Sequence, residues 1–303
     1  MHAFEEVVRG LQFPEGPVAL ADGSILVAQV AAGQVSRIMD GSVARSYPFQ
    51  GTPAGCALGP DGALYVCNSG GSVFRERDGQ LEPYGTPPDY AGGRIERLDL
   101  STGVVQVLYR ECDGHRLSSP NDIVFDAEGG FYFTDLGKTH TRHRDRGGVY
   151  YARADGSAIR AVAYPMETPN GIGLSPNGAR LYVAETIPGR LWSFEVNGPG
   201  VLRTREDRFA RGELVAGLPG LQCFDSLAVQ ADGSICIATL VNGGITRISP
   251  NGSQVEHFAF PDPFTTNLCF GGPDLRTAFV TLSSTGRLVA CAWDAPGLKL
   301  HHA

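Results

Sequence analysis

Phe13-Pro14-Glu15-Gly16-Pro17-Val18-Ala19-Leu20-Ala21-Asp22-Gly23-Ser24-Ile25-Leu26-Val27-Ala28 is the stretch that decides the fold. An apolar run enters an Asp-Gly pair and a second apolar run leaves it, which is the strongest short-range sign of a β-hairpin. The unit recurs at the turns Asp61-Gly62, Glu128-Gly129, Asn177-Gly178, Asp232-Gly233 and Asp274-Leu275. Each is followed by a second strand of the same kind, such as Leu64-Tyr65-Val66-Cys67 or Ile235-Cys236-Ile237-Ala238. Units spaced by roughly forty to sixty residues, each with room for three or four strands, are blades of a propeller. The sequence therefore predicts an all-β, six-bladed β-propeller occupying residues 1–303 as one domain.

Seven residues before the turns stand Glu15, Ala54, Asn121, Asn170, Asp225 and Asn267. A core-facing strand start normally carries an apolar side chain, so five carboxylates or carboxamides in one register need a shared partner. A divalent metal ion on the central axis is the simplest one. Oxygen donors favour calcium, magnesium or manganese, with zinc admissible. The position after each is Gly in the first, second and fourth units but Asp122 in the third, which makes Asp122 a candidate base beside the ion. The next position is apolar, as in Cys56, Ile123, Ile172, Leu227 and Cys269, and the strand period should make these side chains plug the channel below.

The last unit lacks a fourth strand, while Phe4 to Val8 precedes the first; closure of the ring by the N-terminal strand solves both problems and covers an edge. Arg94–Leu100 with Val104–Tyr109 reads as the outer hairpin of blade two. Strand polarity puts residues 110–120, 138–146, 164–169, 185–189, 216–224 and 260–266 at the mouth above the ion. Trp192 and Trp293 read as blade packing.

Composition narrows the partners. Of 303 residues 42% are apolar and 19% charged, and the formal net charge of −7 argues against nucleic acid as the partner, since phosphate binding needs an extended basic face. Neither a signal peptide nor a membrane-spanning run is expected, which predicts a cytoplasmic protein acting on a small molecule. Seven cysteines without a CxxC pair argue against a disulfide framework or a zinc ribbon.

Phe-Pro-Glu-Gly-Pro at 13–17, Ser-Pro-Asn-Asp at 119–122, Pro-Asn-Gly-Ile at 169–172, Ser-Pro-Asn-Gly at 175–178, Phe-Asp-Ser-Leu at 224–227 and Thr-Asn-Leu-Cys-Phe-Gly-Gly at 266–272 resemble the senescence-marker/gluconolactonase family over nearly the whole chain. The resemblance implies that Glu15, Asn170 and Asp225 ligate the metal, and that Asn121 completes the shell or reaches the substrate through water. Where family members often read Lys-Arg-Leu-Asn-Ser-Pro, this chain has His115-Arg116-Leu117-Ser118-Ser119-Pro120. After Phe-Thr-Asp it runs into Lys138-Thr139-His140-Thr141-Arg142-His143-Arg144 instead of a Pro and Tyr-Gly element. Both departures fall at the mouth, so the substrate is not assigned as a sugar lactone.

The expected chemistry is metal-dependent opening of a lactone. Asp225 is the first candidate for the base that activates water and Asp122 the second, while direct attack by a carboxylate stays open. No Gly-x-Ser-x-Gly elbow with a triad points to serine chemistry. Asn121, Asn267 and Arg116 are candidate substrate contacts. The 138–146 run reads as a solvated basic face, and His140 with His143 as a histidine pair without a third ligand. Two alternatives are a non-hydrolytic isomerase or lyase on the same site, and a ligand-binding propeller with a structural ion.

Overall fold

Short β-branched and aromatic runs punctuated by turn residues can bury themselves only as sheets packed on sheets, and here they do so around an axis. A computed structural model describes residues 3–206 and 211–302. Among them are six antiparallel sheets of four or five strands, plus two small hairpins. The innermost strands are Pro14–Ala19, Pro53–Leu58, Pro120–Phe125, Pro169–Leu174, Cys223–Val229 and Thr265–Gly271, and each packs on the next until the last meets the first. This is a six-bladed β-propeller. No helix among the described residues is long and apolar enough to cross a membrane.

The ring closes as expected. Glu5–Arg9 pairs antiparallel with Arg287–Ala292, so the chain start supplies the outer strand of blade six. Arg94–Leu98 and Val105–Tyr109 form the outer half of blade two. The core lies between neighbouring sheets: Val18, Leu26 and Val35 of blade one pack with Leu64, Val66 and Leu98 of blade two. Phe131 and Phe133 of blade three pack with Tyr65 and Ile95. Side chains of this size contribute about 1.5–3 kcal/mol each when fully buried. The two tryptophans are buried in such seams.

All six hairpin turns place their second residue in the left-handed region; five use glycine, and Leu275 adopts φ 56° despite its side chain. All six inner strands also carry one extra residue against their partners. The shifts fall at Glu15/Val18, Pro53/Cys56, Pro120/Ile123, Pro169/Ile172, Phe224/Leu227 and Thr265/Asn267. A bulge bends the strand and re-aims a side chain. Here it falls at the seven-before-turn position in blades two to five and directly beside it in blades one and six.

The glycines that follow this position have a steric cause. A Cβ on Gly171 would lie 2.6 Å from the Asp225 carbonyl oxygen and the Leu227 nitrogen, and one on Gly55 would lie 2.4 Å from the Asn121 carbonyl oxygen. Inner strands meet backbone to backbone there. Gly171→Ala is expected to force blades four and five apart and cost about 1–3 kcal/mol, read by denaturant titration.

A hairpin that the sequence reading did not anticipate, Val73–Arg77 with Gln80–Gly85, leaves the mouth end of blade two. Its Leu81 N–H donates to the Ser284 carbonyl of blade six at 2.9 Å, and Phe74 packs on Phe13 with ring centroids 5.1 Å apart. It therefore arches past blade one to blade six on the mouth face.

Candidate metal and catalytic site

The bulged strands bring Glu15, Asn170, Asp225 and Asn267 together in the middle of the ring, and Asn121 holds the same register in blade three. Glu15, Asn170, Asp225 and Asn267 are buried; Asn121 is partly so. Asn170 Nδ2 donates to Asp225 Oδ1 at 2.5 Å and to Thr186 Oγ1 at 3.0 Å. Asn267 Nδ2 donates to Glu15 Oε2 at 2.8 Å, linking blade six to blade one. Ala54 holds the same position in blade two, which contributes no donor there.

Electrostatics tests whether this group suits a cation. Burial raises the pKa of Glu15. Burial, the Glu15 charge and then the Asp122 charge push Asp225 well above the carboxylate range. Burial and Glu15 push Asp122 up to about 8. Among the described residues the groups that favour the three charged forms are amides, a hydroxyl and backbone N–H groups, with no lysine or arginine. Three mutually repelling carboxylates without a counter-charge are costly, and a divalent cation offsets that cost. The donor set fits a hard ion.

Asp122 lies on the far side of the group. Its Oδ1 accepts the Ile123 N–H at 2.9 Å and its Oδ2 the Ile172 N–H at 3.3 Å. Asp122 and Asn267 line a cavity of about 400 Å³ in the channel below, walled by Pro17, Ile123, Leu227 and Phe270 and bordered by Leu298–Leu300 of the C-terminal segment. The expected apolar plug is thus corrected: Cys56, Ile123, Ile172, Leu227 and Cys269 face the channel as expected but leave a cavity between them.

At the mouth, Arg116 sits on the exposed hairpin Glu111–Cys112 with His115–Arg116, and its Nη1 donates to the Ala91 carbonyl at 3.2 Å. The solvated basic face expected at 138–146 holds for Arg142 and Arg146, which are exposed, and is corrected for Lys138 and Arg144. Lys138 is buried, its Nζ donating to the Ser69 and Gly71 carbonyls, and desolvation pulls its pKa down to about 8. Arg144 donates to the Leu136 carbonyl at 3.2 Å, and Arg146 pairs with Glu167.

A second repeated register escaped the sequence reading. Gln29, Asn68 and Asp135 lie fourteen residues after Glu15, Ala54 and Asn121, and Glu185 fifteen after Asn170. Gln29 accepts the Gln12 N–H at 2.9 Å and Asn68 the Thr52 N–H at 3.1 Å. Asp135 accepts the N–H groups of Ser118 and Ser119 at 2.7 Å, and Glu185 that of Glu167 at 2.7 Å. Each clamps the backbone two or three residues ahead of the axial position. Polar side chains closing otherwise apolar second strands were the available signal.

Comparison with known proteins agrees with the propeller fold and gives the family. The family described as SMP-30/Gluconolactonase/LRE-like region matches residues 13–284. A gluconolactonase from Zymomonas mobilis is 26% identical over 92% of this chain and 78% of its own. Lactonase drp35 from Staphylococcus haemolyticus is 26% identical over 83% of this chain and 70% of its own. The crystal structure of regucalcin from Agrobacterium tumefaciens, described as a calcium-binding protein, superposes with a TM-score of 0.74 at 17% identity, covering 99% of this chain and 98% of that one.

Proposed function

This chain belongs to the SMP-30/gluconolactonase/LRE-like family, and from that premise we propose that it is a lactonase whose hydrolysis of a small cyclic ester depends on a divalent cation. The observation that carries the reading is the buried axial set, in which carboxylates and carboxamides from separate blades meet without a counter-charge. Relatives named gluconolactonase and lactonase supply the reaction class.

Glu15, Asn170, Asp225 and Asn121 would hold the ion. Calcium is the first choice, in keeping with hard oxygen donors and the calcium-binding description of the regucalcin neighbour; zinc, manganese and magnesium are the alternatives. Such an ion, when bound, supplies Lewis-acid polarisation of a carbonyl and lowers the pKa of water. Asp225 takes the proton from water as it adds to the lactone carbonyl carbon. The ring C–O bond then breaks, and the proton passes to the departing alkoxide, leaving a hydroxy acid. Asp225 is preferred to Asp122 as this base because both carboxylate oxygens of Asp122 already accept backbone N–H groups, of Ile123 and Ile172. Direct attack by the Asp225 carboxylate would instead pass through an anhydride that water opens. Asn121 and Asn267 orient the ester, and Arg116 meets substrate only at the outer mouth.

The test pairs metal analysis of the purified protein with proton release from a panel of lactones. Turnover is expected to vanish on exhaustive chelation and to return with calcium or another divalent ion. Full activity in the chelated protein, or no proton release from any lactone, removes the proposal.

A further inference from the structure

The hairpin at 138–145 gathers three ligand-bearing side chains away from the axial group. His140, His143 and Asp145 each offer an atom within 4.8 Å of the others. His140 Nε2 stands 3.3 Å from Asp145 Oδ2, and the two imidazoles are stacked with centroids 4.3 Å apart and planes 13° from parallel, so the exposed His143 ring has to turn about its side-chain bonds to aim a nitrogen at an ion shared with His140. Zinc bonds to nitrogen and oxygen of about 2.0–2.2 Å in tetrahedral geometry put neighbouring ligand atoms about 3.3–3.6 Å apart. The His140–Asp145 separation is already that of a tetrahedral edge.

The backbone holds the three in place. His140 N–H donates to the His143 carbonyl at 2.9 Å, and Asp145 N–H to the Lys138 carbonyl at 2.8 Å. The Thr86 hydroxyl donates to the Thr139 carbonyl at 2.7 Å, and the Tyr90 ring meets His140 edge-on at 6.2 Å. Buried Lys138 anchors the base of the hairpin to Ser69 and Gly71. The ligand side chains remain open to solvent on one side; His140 is 27% exposed and Asp145 34%. Two imidazoles and one carboxylate form a softer set than the axial oxygens, suited to a different ion.

We infer that His140, His143 and Asp145 form a second metal site, taking a divalent ion of the zinc class through three protein ligands, with a fourth position open to water. The ion would tie the hairpin of blade three into one rigid wall of the mouth beside the Thr86–Tyr90 segment. The nearby basic side chains weaken its affinity, but Arg146 is paired with Glu167 and Lys138 and Arg144 are turned onto backbone carbonyls.

The experiment is a calorimetric zinc titration of the full chain in excess calcium, beside tryptic cleavage at the exposed Arg142 with and without zinc. One zinc equivalent is expected, slowing cleavage at Arg142. His143→Ala and His140→Ala should each weaken binding at least about tenfold and abolish the protection. His301 and His302 form another exposed pair, and the double variant His301→Ala, His302→Ala should bind zinc like the wild type. Glu15→Gln should also keep the site, which separates it from the axial one. No zinc binding by the wild type, unchanged affinity in His143→Ala, or loss of binding only in the C-terminal double variant overturns the inference.

Discussion

Asp225→Asn is expected to lower kcat/KM for lactone opening about a thousandfold, the scale of removing a general base, while raising the stability of the metal-free protein at pH 8. The two effects have one cause. The carboxylate is buried against the charges of Glu15 and Asp122, which destabilises the empty fold and makes the group a strong ligand and base. A carboxamide keeps the shape and can still accept the Asn170 N–H, but carries no charge. Stability–function conflict of this kind marks a working site. Kinetics and chemical denaturation on the same sample check it, since a variant inactive through misfolding would move stability the other way. Glu15→Gln should weaken calcium binding and stabilise the metal-free protein in parallel. Wild-type turnover in Asp225→Asn would assign the base elsewhere.

The second large effect is a pH dependence of stability in metal-free protein. Asp122 has a folded-state pKa pushed up to about 8, and Glu15 and Asp225 are raised by the same burial. Between the unfolded carboxylate value and the folded one, the native state holds protons that the unfolded chain has released. Stability therefore falls as pH rises through that window, by up to about 1.4 kcal/mol per pH unit for each such proton. For Asp122 the loss is complete above about 8. The melting temperature of chelated protein should drop from about pH 4 to about pH 8, the window between the ordinary carboxylate value and that of folded Asp122. A divalent cation should restore most of it at the upper end and little at the lower. A melting temperature insensitive to both pH and cation would mean that the three carboxylates do not share one electrostatic site.

The axial register was legible because oxygen-bearing side chains at a core-facing position violate the ordinary rule for strands, and the violation repeats with the blades. Ring closure was legible from a missing strand at one end and a spare one at the other. The bulges were not, since an extra residue leaves no mark on hydrophobic alternation when Gly and Pro surround it. The burial of Lys138 was hidden because its partners are backbone carbonyls on another blade. Asp145 as companion to His140 and His143 required the hairpin to fold back, which spacing alone does not state. The arching hairpin at 73–85 pairs mostly exposed side chains and carries little apolar signal.

A hoop gives way first where its two ends are spliced, and in this molecule the splice lies beside the axial group. Blade six is completed by the chain start, and the strand that follows crosses directly into blade one. Glu15 holds Asn267 across that joint, while Ser283 and Thr266 donate to the Pro14 carbonyl. A cation held by Glu15, as proposed, would act as a rivet through the splice. Shedding the ion and unbuckling the ring become two views of one event, so demetallated chains should come apart first at the strand Glu5–Arg9.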